Sequence, residues 1–346
     1  MKPGEAVSHE LSGGPSPPSR RVIEELLAAA VAAPSMHNTQ PWRFEVQAAD
    51  AVIGLALDPD RLLPIADPHN RAAHIACGAA LLNLRLAAAV AGLRAAVRLI
   101  PDPGNPLLLA RIRLARPHEA TASERELHAA IPLRRSNREP FSNRAVPSGV
   151  RAELAAAAAA EGAVLRFADH NEAIRLRRLA ADAERDLLAD PAYQAEVARW
   201  VGGERGEEGI PGAALGPTSP EGREPVRDFR RDRRATARHA WFEEEPQLAV
   251  LSVQFGGPVD WLTAGQALER VWLTATSRGI SACPLTQALE TRAAWQVRDP
   301  RSDSSEQPQM ILRMGYGLPV PVDVPRRPAT DVAEWLPASP DDGDRP

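Results

Sequence analysis

Two long, alanine-rich helical patterns that match each other at one spacing constrain this fold more than any other sequence feature. Gly78 and Gly92 lie 187 residues before Gly265 and Gly279, and several apolar positions between them also coincide. The predicted helices and strands follow the same order in both halves, so a duplication is the simplest explanation. A chance match between two helices in an alanine-rich chain remains the alternative at this point.

Hydrophobic periodicity predicts the elements of both halves. In the first half the predicted elements are a helix over 22–31, strands over 42–46 and 52–57, a helix over 71–92 and a strand over 108–114. In the second half they are a helix over 151–163, strands over 164–167 and 248–255, and a helix over 261–279. The mixture indicates an α+β fold built from two tandem halves.

A segment rich in glycine, proline and charge interrupts the second half. It spans about 190–245 and contains GGERGEEGIPGAALGPTSPEGREP. A connection of this length inside a domain is typical of an active-site lid or of a disordered insertion, and the sequence leaves both open. Trp200 and Trp241 at its edges favour a lid that docks on the rest of the chain.

Charge and residue usage exclude several classes of function. The net charge of -4 gives no electrostatic reason to expect nucleic acid as a partner. Lys2 is the one lysine among 41 basic residues, which excludes a pyridoxal Schiff base and a phosphate-loop lysine. Cys77 and Cys283 are far apart and form no CxxC pair, so we expect neither a disulfide framework nor a cysteine-based zinc site, and we nominate no metal ligand.

The apolar content also bears on localisation. The most apolar stretch, 75–93, is interrupted by Asn83 and Arg85 and predicts a buried helix rather than a membrane span. The first twenty residues lack the apolar core of a secretory signal. We therefore expect a cytoplasmic protein without membrane contact.

Two short segments carry the chemistry that the sequence offers. The loop PSMHNTQPW at 34–42 places hydroxyl and amide side chains between a helix end and a strand. The cluster RRSNR at 134–138 gathers three guanidiniums and a hydroxyl, which match a phosphate through forked hydrogen bonds. Each segment alone could be an ordinary polar rim or a solvated charge run. Together they suggest a ligand with a phosphate at one end and an amide-like face at the other.

These segments resemble the signature of the nitroreductase family, and in particular its double-length, Acg-like branch, which binds flavin mononucleotide (FMN). The family combines an arginine and serine cluster, a VP-helix start and an APSxxNxQPWxF loop. Here the loop lies in the first half, at 33–44, whereas the cluster and Val146–Pro147 lie in the second. CGAALLNL at 77–84 and ILRMGYG at 311–317 also match the branch.

The resemblance implies an intrachain pseudo-dimer with one FMN per chain. In the family each flavin takes its phosphate contacts from one subunit and other contacts from the partner, so two fused halves keep one complete site and a monomer is expected. The implied boundaries are a disordered N-terminus at 1–18, a first half at 19–120, a second half at 121–336 with the lid or insertion at about 190–245, and a disordered tail at 337–346.

The residues that would bind FMN by this resemblance form three groups. The phosphate group is expected to contact Arg134, Arg135, Ser136 and Arg138, with further contacts from Arg326 and Arg327. The ring system is expected to meet Pro34, Ser35, Met36, Asn38 and Gln40 from the first half. The segment whose backbone lies over the flavin corresponds to Pro284, Leu285, Thr286 and Gln287, the last two replacing the family's acidic residue and glycine.

The function implied by the resemblance is hydride transfer from NAD(P)H through FMN to a nitro, quinone or similar small-molecule acceptor. Because the flavin would carry the redox chemistry, no side chain is nominated as a catalytic acid or base. The alternative is an FMN-sequestering or storage protein in which the lid covers the flavin and turnover is small. A colourless relative whose flavin site has decayed is a third and weaker possibility.

Overall fold

The computed structural model describes most of the chain. The described residues are 17–115, 117–204, 206–220, 227, 229, 238–291, 294–298, 306–320 and 322–337. The predicted disordered ends lie almost wholly outside these residues, and so does part of the predicted lid.

Seven helices and nine strands are present in the described residues. The helices are α1 (Arg20–Val31), α2 (Arg71–Val90), α3 (Ala122–Ala130), α4 (Ser148–Ala159), α5 (His170–Ala189), α6 (Pro191–Trp200) and α7 (Pro258–Ser277). The strands are β1 (Trp42–Gln47), β2 (Val52–Leu57), β3 (Arg94–Leu99), β4 (Leu108–Ala115), β5 (Val164–Phe167), β6 (Gln247–Val253), β7 (Ser281–Pro284), β8 (Gln307–Gly315) and β9 (Ala333–Trp335).

The strands form two separate sheets, one for each half. The first has the order β3-β4-β2-β1-β9 and the second the order β5-β6-β8-β7. Neighbouring strands are antiparallel except β9, which runs parallel to β1 and places Ala333 opposite Phe44. The last strand of the described residues, β9, therefore extends the sheet of the first half, so the segment after the second sheet connects the two halves.

The two matching helices pack against each other between the sheets. Both α2 and α7 are 20 residues long. Gly78 and Gly265 lie at their contact, where a Cβ added to Gly78 would meet the Leu262 backbone. By length and composition, helix α2 is apolar enough to span a membrane. However, 89% of its most apolar 18-residue stretch is buried inside the protein. It is thus a buried core helix, as the sequence predicts, and the structure shows that it also joins the two halves.

The hydrophobic pattern of the sequence accounts for most of these elements. The predicted helices over 22–31, 71–92 and 261–279 correspond to α1, α2 and α7. The last residue of each helix lies within two residues of the predicted one. The strand predicted over 248–255 ends at Val253, because Gly256, Gly257 and Pro258 turn the chain into α7. Both halves contain the order helix, two strands, long helix and two strands, with α5, α6 and the following segment inserted in the second.

Candidate functional site

The polar loop between α1 and β1 has an unusual backbone. His37, Asn38 and Gln40 have positive φ angles of 51°, 56° and 54°. Residues with side chains seldom adopt this left-handed conformation, and a cluster of them persists only where the surroundings hold it in place. At the end of the loop, Trp42 is fully buried and starts β1, which fixes the loop to the core of the first half.

Side-chain amides supply the bonds that hold this loop. The Asn38 amide Nδ2 donates to the carbonyl oxygens of Gly209 and Pro325, each at 2.9 Å. The Gln40 amide Nε2 donates to the Glu207 carbonyl at 2.8 Å, while its Oε1 accepts from the Arg327 backbone N–H at 2.8 Å. The loop of the first half is therefore bonded to the segment at 206–210 and to the chain that leads into β9.

A cavity of about 600 Å³ lies beside the loop, a volume usual for a small-molecule site. Seven of the residues predicted from the sequence border it: Pro34, Ser35, Met36, Ser136, Arg138, Pro284 and Thr286. The remaining wall includes residues of α2, such as Arg71 and Ile75, and Trp261 of α7. Both halves of the chain thus contribute to one cavity.

A second cavity of about 360 Å³ adjoins the first. The predicted residues that border it are Pro34, Ser35, Asn38, Arg134, Arg135, Ser136, Arg138 and Arg326. Ser136 and Asn38, which come from different halves, therefore face the same space. The two cavities share the residues Pro34, Ser35, Ser136, Arg138 and Ile210, so one elongated ligand could occupy both.

Four predicted site residues border neither cavity: Gln40, Leu285, Gln287 and Arg327. The Gln40 amide is consumed by the backbone bonds described above, and Leu285 is buried in an apolar cluster with α5 and β6. Gln287 is buried beneath the surface, and the Arg327 guanidinium lies 3.7 Å from Asp58 on the far side of the loop.

Positive charge is concentrated at the smaller cavity. The Arg135 guanidinium pairs with the exposed Asp323 at 2.8 Å. Burial, and then the neighbouring charge of Arg134, lower the pKa of Arg326 to about 9. The Nε atoms of Arg134 and Arg326 are buried and have no hydrogen-bond partner among the described residues. Guanidiniums that repel one another, with the unpaired Nε donor of Arg326 among them, form a site that favours an anion.

A carboxyl group lies behind these arginines. Glu269 of α7 is completely buried, with its Oε1 3.4 Å from the Nε of Arg134. Burial raises the pKa of Glu269 to about 7, and the charges of Arg134 and Arg326 together with the Asn83 amide offset only part of this effect. The Arg134 guanidinium also lies over the Trp272 ring, 4.8 Å from its centroid. Glu269 is thus only a partial counter-ion, and the arginine cluster retains its positive character.

The larger cavity is closed on one side by described parts of the predicted lid. Ile210, Arg227 and Phe229 all border it. Arg227 forms a two-bond ion pair with Glu290, at 2.7 and 2.8 Å, and contacts the Tyr193 hydroxyl. Both partners of this ion pair are buried, so it connects the inserted segment to the chain that follows β7.

Sequence reasoning missed several of these residues. His37 lies inside the loop that the sequence singled out, so its position was available, but nothing showed that its ring would be buried at the cavity. Glu269 and Trp272 occupy an ordinary helical stripe, and Arg227 and Glu290 lie 63 residues apart. Only the three-dimensional packing of α7 and the inserted segment brings these side chains to the site.

Comparison with known proteins identifies the family to which this fold and site belong. The model of the nitroreductase family matches residues 14–66, which contain the loop, and 131–316, which contain the arginine cluster. A Mycobacterium tuberculosis protein named as a putative NAD(P)H nitroreductase is 33% identical over 326 residues, 92% of this chain and 92% of that protein. The chain therefore belongs to the nitroreductase family.

A further relative supports the double-length branch. The putative NAD(P)H nitroreductase acg of Mycobacterium tuberculosis is 31% identical over 315 residues, 90% of this chain and 95% of that protein. Among solved structures, the FMN-dependent nitroreductase NfnB from Mycobacterium smegmatis in complex with NADPH aligns at 16% identity and a TM-score of 0.38, covering 61% of this chain and 98% of that chain. The resemblance drawn from the sequence motifs is confirmed by the family and its curated relatives.

Proposed function

We propose that this chain is an FMN-dependent oxidoreductase of the nitroreductase type, which takes a hydride from NAD(P)H and reduces a nitro, quinone or similar acceptor. The observation that carries the proposal is the pair of adjoining cavities. One presents arginine donors, the other presents apolar walls and a polar loop, and the two are built from both halves of the chain. The names of the relatives, NAD(P)H nitroreductases, agree with this reading.

The smaller cavity fits the phosphate of FMN. The buried Nε of Arg326 has no hydrogen-bond partner among the described residues and matches a phosphate oxygen, and Arg134, Arg135, Ser136 and Arg138 border the same cavity. A dianionic phosphate there would neutralise guanidiniums that now repel one another. These five residues would therefore hold the ribityl phosphate through charge-assisted hydrogen bonds.

The larger cavity fits a flat ring. Met36, Ile75, Trp261 and Met310 supply apolar surface, while Pro284 and Thr286 border another part of the wall. Bound FMN would supply the redox chemistry, accepting hydride from the nicotinamide and passing it to the acceptor. The chain's own part would be to orient the ring and limit the access of water.

No acid or base is required from the chain in this proposal. Over the complete reaction with a quinone, NAD(P)H and one proton become NAD(P)⁺ while the quinone gains two electrons and two hydrogens. The proton can come from solvent. The positive guanidiniums near the cavities would favour the more negative, reduced form of the ligand.

One chain would hold one FMN and act as a monomer in the cytoplasm. The loop at 34–42 and the cluster at 134–138 come from different halves yet border the same space, as the two subunits of an ordinary family dimer would provide. The test is steady-state oxidation of NADH and NADPH by the FMN-loaded protein with a panel of nitroaromatics and quinones. Failure with every pair of donor and acceptor would remove the proposal.

A storage function is the second candidate, because Ile210, Arg227 and Phe229 border the larger cavity and partly enclose it. A storage protein would retain FMN but would exchange no electrons with a nicotinamide. Rapid reduction of bound FMN by NADPH would therefore favour the enzyme, whereas retention of oxidised FMN in excess NADPH would favour storage.

A further inference from the structure

His37 has a buried imidazole ring that no described residue hydrogen-bonds. Its exposed fraction is 3%, it borders the larger cavity, and neither Nδ1 nor Nε2 has a hydrogen-bond partner in the described part of the protein. The edge of the ring contacts Phe229, with 5.4 Å between ring centroids. Buried polar groups are normally paired, so an unpaired ring at a cavity needs an explanation.

The backbone that carries His37 is held against its own preference. Its φ of 51° is left-handed, as are those of Asn38 and Gln40, and the bonds from those two amides to distant backbone groups keep the loop in place. These bonds fix the backbone of the loop while the His37 imidazole lies at the cavity, an arrangement typical of a group positioned for a ligand.

The surroundings of His37 determine its charge. Burial, followed by the charges of Arg227 and Arg138, lowers the pKa of His37 well below its ordinary value of 6.5. The ring is therefore neutral at pH 7 and offers one N–H donor and one nitrogen acceptor. The nearby acids are already engaged, since Asp67 accepts from the Ala73 N–H and Glu290 pairs with Arg227.

We propose that His37 determines acceptor specificity by donating a hydrogen bond to a nitro or quinone oxygen of a flat aromatic acceptor in the larger cavity. This inference rests on the proposed function. His37 does not border the smaller cavity, so it lies away from the phosphate end. The positive charge of Arg138 near the His37 ring favours an oxygen that carries negative charge, and Phe229, which contacts the His37 ring, offers apolar surface to the aromatic acceptor.

The test compares two ligands that differ only in the oxygen-bearing group. Nitrobenzene and toluene are titrated into FMN-loaded protein without NAD(P)H, and both affinities are measured by ligand-observed NMR, so no turnover takes place. His37→Phe keeps a ring but removes both nitrogens, whereas His37→Gln keeps a donor and an acceptor. The exposed His170 on α5, which borders neither cavity, provides the control variant His170→Phe.

We expect the wild-type protein to bind nitrobenzene about tenfold more tightly than toluene, the ratio that one desolvated hydrogen bond produces. His37→Phe should reduce the ratio to about one, while His37→Gln and His170→Phe retain most of it. In ¹⁵N-labelled wild-type protein, the His37 imidazole resonances should move with nitrobenzene and not with toluene. The nitrobenzene affinity should be the same at pH 6 and pH 8, because the ring is neutral at both.

Equal ratios in the wild type and His37→Phe, or His37 resonances that ignore nitrobenzene, would overturn the inference while leaving the proposed function intact. Should His37→Phe lose FMN or fail to fold, the wild-type resonances and the His37→Gln ratio still decide the question. A wild-type protein that binds no FMN would instead overturn the proposed function, and the two failures are distinct.

Discussion

Gly78 and Gly265 face each other where α2 crosses α7, and neither position has room for a side chain. A Cβ on Gly265 would lie 2.9 Å from the Gly78 Cα and closer still to the Ile75 carbonyl oxygen. Gly78 and Gly265 occupy equivalent positions in the two halves. The contact between α2 and α7 is therefore pseudo-symmetric, and these two glycines lie at its centre. The close approach brings Ile75 of α2 and Trp261 of α7 to the same cavity wall.

Substitution at this contact should destabilise the whole chain. Gly265→Ala should lower the free energy of unfolding by about 3 kcal/mol, because the rigid backbone of α2 must move away. Gly149→Ala is the matched control, since Gly149 of α4 has nothing within 4 Å of its added Cβ. That change should raise stability by about 0.5 kcal/mol through helix propensity. Urea unfolding measures both, and equal effects would contradict the contact.

Removing one phosphate contact should affect FMN but not riboflavin. Arg326→Gln deletes a buried guanidinium at the smaller cavity, and FMN should bind about 10- to 100-fold more weakly, as expected for a charge-assisted hydrogen bond. Riboflavin lacks the phosphate, so its affinity should change little. Arg98→Gln on the exposed face of β3 is the control. Fluorescence quenching gives the affinities, and an equal loss for both flavins would refute the assignment.

The buried carboxyl of Glu269 should make stability fall as pH rises. Its folded pKa of about 7 exceeds its ordinary value of 4.5, so between these pH values the folded chain holds more protons than the unfolded one. Its contribution is therefore fully present below the lower value and lost as pH rises through 7. Glu269→Gln should remove this dependence and increase stability at pH 8 by about 3 kcal/mol.

The control for this pH effect is Glu25→Gln, because the Glu25 side chain is 61% exposed on α1. It should leave the slope of unfolding free energy against pH unchanged. Chemical denaturation from pH 5 to pH 8 measures the slopes. A wild-type slope that persists in Glu269→Gln would assign the effect to another group.

The anchor of the polar loop is the Asn38 amide. Asn38→Asp keeps the shape and tolerance for a left-handed backbone but replaces the donor with an acceptor that faces two carbonyl oxygens. The loss should be about 3 kcal/mol of unfolding free energy, with weaker FMN binding because the loop relaxes. Asn105→Asp, at an exposed position, is the control. Thermal unfolding with and without FMN tests this, and a stable Asn38→Asp variant would contradict the anchoring role.

Local pattern predicted the parts of the fold that bury one regular face. The helix α1 and the strand β1 have strong periods, and both lie where the sequence predicts them. The strand β3 was not predicted, because Arg94 and Arg98 are exposed at the sheet edge and the segment has little apolar alternation. The strand β9 has three residues and pairs with β1 across most of the chain, so no local pattern could place it.

The site was predictable where motifs carry it. The loop and the arginine cluster suggested a ligand with a phosphate at one end and an amide-like face at the other, the family resemblance added the flavin ring, and the structure brings Ser136 and Asn38 to one cavity. The direction of each side chain was not available from the motif. Gln40 was expected at the ligand but bonds to backbone groups, whereas the buried ring of His37 borders the cavity. Positive φ angles within the loop decide both orientations, and sequence alone does not reveal them.

The central claim is that one chain builds one complete redox site for FMN. The most direct measurement is a visible spectrum of the purified, FMN-loaded protein, with flavin and protein quantified, followed by anaerobic addition of NADPH. We predict one flavin per chain and bleaching of the flavin band. A protein that gains no flavin absorbance on addition of FMN, or whose bound flavin stays oxidised in excess NADPH and NADH, would contradict the claim.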